Sequence, residues 1–270
     1  MLFNFKDNKI IALDNQASSG NTLFPRLPFT LTIVASKGGG KTSLLLNMLL
    51  NPHLFKGKFN RIIVVSPTAK LDAKMNILRE TPDITVVNHK LLKAMKVKKR
   101  IEIGDFSEDQ HHYENRLTDE DFLDDINNTF LPEIIQEQKE IITRYGKDTA
   151  DTVLIILDDL AAERKFFNSR MTKKAIFNSR HVKISIIITT QAYNCIPPQI
   201  RLNNSNLILF QSANKREIQK IYDENNSHLT FNEFYQMYQK VVSEPYGFLQ
   251  CNYQNTNNKR FIKNMEEYIL

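Results

Sequence analysis

The run Ala35-Ser36-Lys37-Gly38-Gly39-Gly40-Lys41-Thr42 constrains this chain more than any other feature. It lies between two apolar segments, FTLTIVAS (29–36) and TSLLLNMLL (42–50). The first is short and rich in β-branched residues, so it reads as a buried strand. The second reads as a helix that ends near Asn51-Pro52. A strand, a glycine turn and a helix in that order fit the phosphate-loop pattern. There is one departure: Ala35 stands where glycine is often found, at a position that only turns the chain out of the strand. The three glycines allow backbone N–H groups to converge on an anion, and the helix adds its positive dipole end. Lys41 is placed to charge-pair with β- and γ-phosphates, and the Thr42 hydroxyl to ligate Mg²⁺. Ala35, Ser36, Lys37, Gly38, Gly39, Gly40, Lys41, Thr42 and Ser43 together form the expected ATP-binding segment. Lys37 falls one residue after the place where partition-type ATPases carry a second lysine, so it reads as a solvated loop charge.

The rest of the sequence repeats the strand–helix alternation. RIIVVSPT (61–68), TVLIILDDL (152–160), ISIIITTQ (184–191), NLILFQ (206–211) and GFLQCNY (247–253) read as strands, and ITVVNH (84–89) as a possible further one. Helices are expected over KLLKAMKVKKR (90–100), NTFLPEIIQEQKEIITRYG (128–146), 169–180, 214–224 and 230–241. Apolar strands alternating with helices indicate an α/β fold, a mostly parallel central sheet with helices on both faces. Residues 1–28 read as an irregular lead-in and about 90–150 as a helical and acidic insertion, within one domain spanning 1–270.

Two further strands end in chemistry. LIILDDL carries Asp158 and Asp159 at its carboxyl end, the edge at which ligands bind in open parallel sheets. Beside a phosphate loop, Asp158 would hold Mg²⁺ with Thr42. Asp159 would be the general base that polarises the water attacking the γ-phosphate. Alone, the pair would read as an acidic strand end facing solvent. ISIIITTQ ends in Thr189, Thr190 and Gln191, and Gln191 is placed to sense the γ-phosphate or that water. Arg180, just before this strand, and Arg201, after Ile196-Pro197-Pro198-Gln199-Ile200, are candidates for an arginine finger acting on a neighbouring subunit.

Composition sets outer limits. A net charge of +6 permits an anionic partner such as nucleic acid without requiring one. Two cysteines, Cys195 and Cys251, form neither a disulfide framework nor a metal-ligand spacing. The N-terminus lacks a signal peptide's apolar core, and no apolar run approaches the roughly 18 residues that a membrane span needs. His111 and His112 lie among Asp105, Glu108, Asp109 and Glu114, a cluster that reads as a solvated loop rather than a metal site. The run Lys90, Lys93, Lys96, Lys98, Lys99, Arg100 reads as a solvated helix face or a path for DNA phosphates.

Taken together, ASKGGGKT, IIVVSPT, LIILDD, SRHVKISIIITTQ, IPPQIRLNNSNLILF and NKRE resemble the FtsK/HerA superfamily of DNA translocases. Within it they are most similar to the genome-packaging ATPases of large DNA viruses and virophages, the poxvirus and mimivirus type. The resemblance covers roughly residues 30–220. It implies a RecA-like (ASCE) P-loop NTPase fold and hydrolysis of ATP with Mg²⁺ at subunit interfaces of a homo-oligomeric, usually hexameric, ring. It also implies that double-stranded DNA is threaded into a preformed capsid, with a capsid or portal-vertex protein as partner. The setting would be the host cytoplasm, at the assembly site, or the virion. The resemblance puts the finger at Arg180 and the sensor at Gln191. Wider superfamily members often use Glu as base where this chain has Asp159. The alternatives are another oligomeric P-loop ATPase, a helicase or helicase loader, and a nucleotide-gated DNA-binding scaffold without appreciable turnover.

Overall fold

The structure is a computed structural model and describes residues 22–68, 72–103, 116–160, 163–225 and 228–269. Most of the lead-in and the acidic segment with His111 and His112 lie outside the described residues.

In chain order the elements are β1 (Thr30–Val34), α1 (Lys41–Leu50), β2 (Arg61–Val65), α2 (Ala73–Glu80), α3 (His89–Ile103), β3 (Phe122–Leu123), α4 (Phe130–Tyr145), β4 (Val153–Leu157) and α5 (Arg164–Asn168). They continue with α6 (Arg170–Asn178), β5 (Ile184–Thr190), α7 (Pro198–Arg201), β6 (Asn206–Leu209), α8 (Lys215–Asn225), α9 (Phe231–Val242), β7 (Leu249–Asn252), β8 (Phe261–Lys263) and β9 (Glu267–Ile269). These strands form one sheet in the order β3-β2-β4-β5-β1-β6-β7-β8-β9. From β3 to β6 every pairing is parallel; β7, β8 and β9 add an antiparallel edge. The expected mostly parallel α/β sheet is therefore present.

The two-residue period of the strands explains the layers. On β2, Ile62 and Val64 join the core beneath α1, while Ile63 and Val65 join the opposite core with α4 and α6. On β4, Leu154 and Ile156 pair with the first set, and Ile155 and Leu157 with the second. A third cluster packs α8 and α9 against β6 and β7 through Ile218, Phe234, Tyr238, Leu207 and Leu249. Helices thus cover both faces, and every residue of β4 and β5 is buried, as continuous apolar strands require.

Several expectations change. ITVVNH (84–89) is not a strand: Ile84 and Thr85 are buried in an irregular connection, and His89 already begins α3. Ile84 packs into the core while Val86 stays exposed, and the segment is tied in by Val86 N–H donating to the Phe59 carbonyl. Beyond the expected strand at β7, the short strands β8 and β9 follow. The short elements α2, β3, α5 and α7 lie outside the expected strands and helices. The end of the lead-in lies against the turn after β7: Thr22 N–H donates to Asn255 Oδ1 at 2.9 Å and Arg26 N–H to Gln254 Oε1 at 2.8 Å.

Arg201, a candidate finger, is instead a structural residue. It is 3% exposed, and its guanidinium pairs with the Glu224 carboxylate through Nε at 2.9 Å and through Nη2. Its Nη1 donates to the Ile196 carbonyl at 2.8 Å, and its charge centre sits 4.7 Å from the Tyr193 ring. It therefore ties α7 to α8. Removing one partner of a buried ion pair leaves the other charge uncompensated. Arg201→Ala is expected to lower unfolding stability by about 3 kcal/mol, measured by urea denaturation. The double variant Arg201→Ala/Glu224→Ala should lose clearly less than the sum of the two single losses.

Candidate active site

The site lies at the carboxyl edge of the parallel strands, and strand order decides who meets there. β5 lies between β1, which feeds the glycine loop, and β4, which ends in the acidic pair. Residues far apart in sequence therefore converge at one edge.

The loop after β1 behaves as its glycines predict. Gly38 and Gly40 have φ of +76° and +104°, left-handed values that side chains resist. Gly40 is the N-cap of α1. Ala35, at the departure from the usual pattern, is buried, and its N–H donates to the Thr190 carbonyl at 3.1 Å. Lys41 Nζ donates to the Ala35 carbonyl at 2.8 Å, folded back over the loop. Burial holds its pKa below the usual lysine value, while Asp159 and Asp158 pull it up again. A cleft of about 480 Å³ opens in front of the loop, lined by Ser36, Gly38, Gly39, Gly40, Lys41, Thr42 and Ser43. Asp72 and Lys74 from the start of α2 and Tyr246 from the turn before β7 complete its walls. Lys37 is exposed and is not among the lining residues.

The acidic pair is divided in environment. Asp158 is 6% exposed and held by two hydroxyls: Thr189 Oγ1 donates to Oδ1 at 2.6 Å and Ser66 Oγ to Oδ2 at 3.1 Å. Burial raises its pKa, and those two hydrogen bonds oppose the rise. Asp159 has φ of +50°, so the chain reverses sharply as it leaves β4. Its N–H donates to Thr189 Oγ1 at 3.0 Å, and Gln191 Nε2 donates to its Oδ2 at 2.7 Å. Its Oδ1 is buried without a hydrogen-bond partner, a cost that a ligand or water could relieve.

The structure thus brings Lys41, Thr42, Asp158, Asp159 and Gln191 to one edge. It does not bring Arg180 there. Arg180 sits in a 3₁₀ turn, Ser179–Val182, at the amino end of β5. The length of that strand, about 20 Å, separates it from the loop. Among the described residues no arginine lines the cleft.

Sequence reasoning missed Ser66, Lys74 and Tyr246. Ser66 could have been found, because IIVVSPT places it at the carboxyl end of the strand beside β4, by the rule that located Asp158. Nothing in the sequence marks Tyr246.

Comparison with known proteins follows the same lines. Residues 127–239 match the Poxvirus A32 protein family, a span that contains Asp158, Asp159, Arg180 and Gln191 but not the glycine loop. The protein 075L of Invertebrate iridescent virus 6 is 32% identical over 69 residues; that match covers 26% of this chain and 27% of that protein. Among solved structures, B204, the DNA-packaging ATPase of Sulfolobus turreted icosahedral virus, matches with a TM-score of 0.55 and 15% identity over 91% of this chain and all of that one. The genome-packaging NTPase B204 of Sulfolobus turreted icosahedral virus 2, in complex with ATP-γ-S, gives a TM-score of 0.53 and 16% identity over the same shares. At such identity these structures speak to the fold. The chain resembles the viral genome-packaging ATPases in sequence over residues 127–239 and shares their P-loop fold over nine-tenths of its length.

Proposed function

We propose that this chain hydrolyses ATP to move double-stranded DNA, and that its task is to drive a viral genome into a preformed capsid at the assembly site. The observation that carries the reading is the meeting of Lys41, Asp158, Asp159 and Gln191 beneath one glycine loop, with Gln191 bonded to Asp159. The similarity to the Poxvirus A32 family in sequence and to a DNA-packaging ATPase in fold supports DNA as what is moved, and the capsid follows from the resemblance to viral packaging enzymes.

The donor set fits Mg²⁺. Hard oxygens suit that ion, and Thr42 and Asp158 offer a hydroxyl and a carboxylate whose oxygens keep lone pairs beyond those used by Ser66 and Thr189. When bound, Mg²⁺ would neutralise charge on the β- and γ-phosphate oxygens. The chain's own residues do the rest. Loop N–H groups and Lys41 hold the triphosphate, Lys41 leaving the Ala35 carbonyl to do so. Asp159 takes a proton from the attacking water, whose oxygen bonds to the γ-phosphorus as the bond to the β–γ bridging oxygen breaks. Gln191, already on Asp159, orients that water. The nearby Thr189 hydroxyl donates to the Asp158 carboxylate and accepts from the Asp159 backbone N–H, so one hydroxyl positions both acidic residues.

Transition-state charge still needs a cation beyond Lys41. Arg180 is too far from its own loop, so in a ring, hexameric by the resemblance, it would serve a neighbour's nucleotide. With Arg201 locked to Glu224, Arg180 is the finger candidate that stays available.

Lys41→Ala should abolish turnover, because Lys41 is the side-chain cation that the loop pattern assigns to the β- and γ-phosphates. Asp159→Asn should bind ATP-Mg nearly as wild type and hydrolyse it about 10²–10⁴-fold more slowly, read by steady-state phosphate release with and without duplex DNA. Normal hydrolysis by Asp159→Asn would move the base elsewhere.

Arg180→Ala is expected to lose about 10³-fold or more in DNA-stimulated turnover while keeping nucleotide affinity. Mixed with Lys41→Ala under conditions where subunits exchange, it should regain part of the activity. An Arg180→Ala protein that turns over normally would refute the assignment.

Duplex DNA should bind with little sequence preference and an affinity that falls steeply with salt, because phosphate contacts release counterions. Competition between unrelated duplexes at fixed ionic strength, beside a solution mass, checks both the motor and the ring. Strong preference for one sequence would point to a regulator.

A further inference from the structure

We propose that Tyr246 is the platform on which the base of the bound nucleotide stacks; this rests on the nucleotide-binding reading above. The argument begins with direction. In the sheet, the acidic pair on β4 and Gln191 after β5 lie on one side of β1, and β6 and β7 lie on the other. A triphosphate with its γ-phosphate toward Asp159 must lead its sugar and base away from β4. On that other side the turn before β7 brings Tyr246 into the wall of the cleft.

The placement of Tyr246 is specific. A side chain at Gly40 would meet Tyr246 Cδ1 and Phe210 Cε1 at 3.3 Å each, so the absence of a side chain in the loop is what lets the ring rest against it. Phe210 in turn packs on Phe248, with ring centroids 5.2 Å apart, giving an aromatic floor that continues into the core. Phe210 and Phe248 are buried, whereas Tyr246 is 56% exposed. That exposed surface is where a base would lie.

The turn that presents the ring is held rigidly. Tyr246 has φ of +60°, a left-handed value that a bulky aromatic residue adopts only when its surroundings impose it, and such outliers gather at ligand clamps. Here the surroundings do impose it. A Cβ on Gly247 would lie 2.3 Å from the Val241 carbonyl oxygen, so only glycine can follow. Gly247 N–H donates to the Glu244 carbonyl at 2.9 Å, and Phe248 N–H to Asn264 Oδ1 at 2.9 Å. Glu244 pairs with Lys263 at 2.7 Å, tying the turn to β8. A ring fixed before binding gives up little entropy when a base stacks on it. Stacking offers a face and no donor–acceptor pattern, so this residue contributes affinity for a base rather than a choice among purines.

The test separates base from phosphate. Binding of ATP-Mg and of the base-free inorganic tripolyphosphate-Mg is measured by calorimetry on the full chain, for wild type, Tyr246→Ala, Tyr246→Phe and Lys41→Ala. Thermal melts confirm that each is folded. Tyr246→Ala should weaken ATP by about 5- to 100-fold, the range found when a base loses an aromatic partner, and leave tripolyphosphate unchanged. Tyr246→Phe, which keeps the ring, should restore ATP affinity. Lys41→Ala should weaken both ligands. Equal losses for ATP and tripolyphosphate in Tyr246→Ala would mean that the residue only shapes the loop, and an unchanged ATP affinity would mean that the base lies elsewhere. Either result overturns the proposal while the phosphate site stands. A wild-type chain that binds neither ligand overturns the nucleotide reading, and this proposal with it.

Discussion

The carboxylate of Asp158, bracketed between the hydroxyls of Ser66 and Thr189, is the interaction on which the rest of the site depends. Its two partners come from the strands on either side of β4, so one side chain reads the register of three parallel strands at their carboxyl ends. Burying a carboxylate is costly, and the raised pKa of Asp158 is the mark of that cost. Two hydrogen bonds offset part of it. Slip β5 by one residue and Thr189 would turn to the other face of the sheet, leaving both Asp158 Oδ1 and the Asp159 N–H without a partner. The continuous apolar strands specify register weakly by pattern alone. The polar residues at their ends specify it strongly.

Much of this is legible in the amino-acid sequence, and for a physical reason. A glycine triplet between a strand and a helix, and an Asp pair at the end of an apolar strand, are local patterns whose chemistry does not depend on distant residues. The same holds for Gln191 after seven residues of buried strand. What failed was non-local or short. ITVVNH has strand-like composition, but it forms an irregular connection leading into α3, with Ile84 buried and Val86 exposed, and periodicity cannot tell the two apart over six residues. Arg201 looked like a free basic residue because its partner, Glu224, lies on a helix twenty-three positions away. Tyr246 has no sequence signature at all. Its role follows from Gly40, Phe210 and Gly247, which meet only in the folded chain.

The two arginine candidates show how burial sorts residues of one type. Arg201 has its guanidinium engaged by a carboxylate, a carbonyl and a ring face and is almost fully buried, and so is not placed for a phosphate on another molecule. Arg180 is half-buried at the amino edge of the sheet, opposite the loop. A group that cannot reach its own site by about 20 Å can contribute to hydrolysis only through a second copy. The distance thus turns a question about one residue into a question about assembly.

Left-handed backbone also occurs at the same edge. Gly40, Asp159 and Tyr246 all have left-handed φ values, and each sits where the chain leaves or enters an element that frames the cleft. For Gly40 the conformation is cheap. Asp159 tolerates it better than most residues, since a short polar side chain can bond nearby, and here its N–H is satisfied by Thr189. Tyr246 has no such excuse in its own chemistry, and the contacts of Glu244, Gly247 and Asn264 must supply the difference. The three positions differ in what resists them and agree in what they accomplish. Gly40 opens the loop toward an anion, Asp159 sets its carboxylate against Gln191, and Tyr246 lays a ring against the loop. Relaxing any one of them would shift a wall of the cleft rather than a strand of the sheet, because the strands beneath are held by their own ladders and by Asp158.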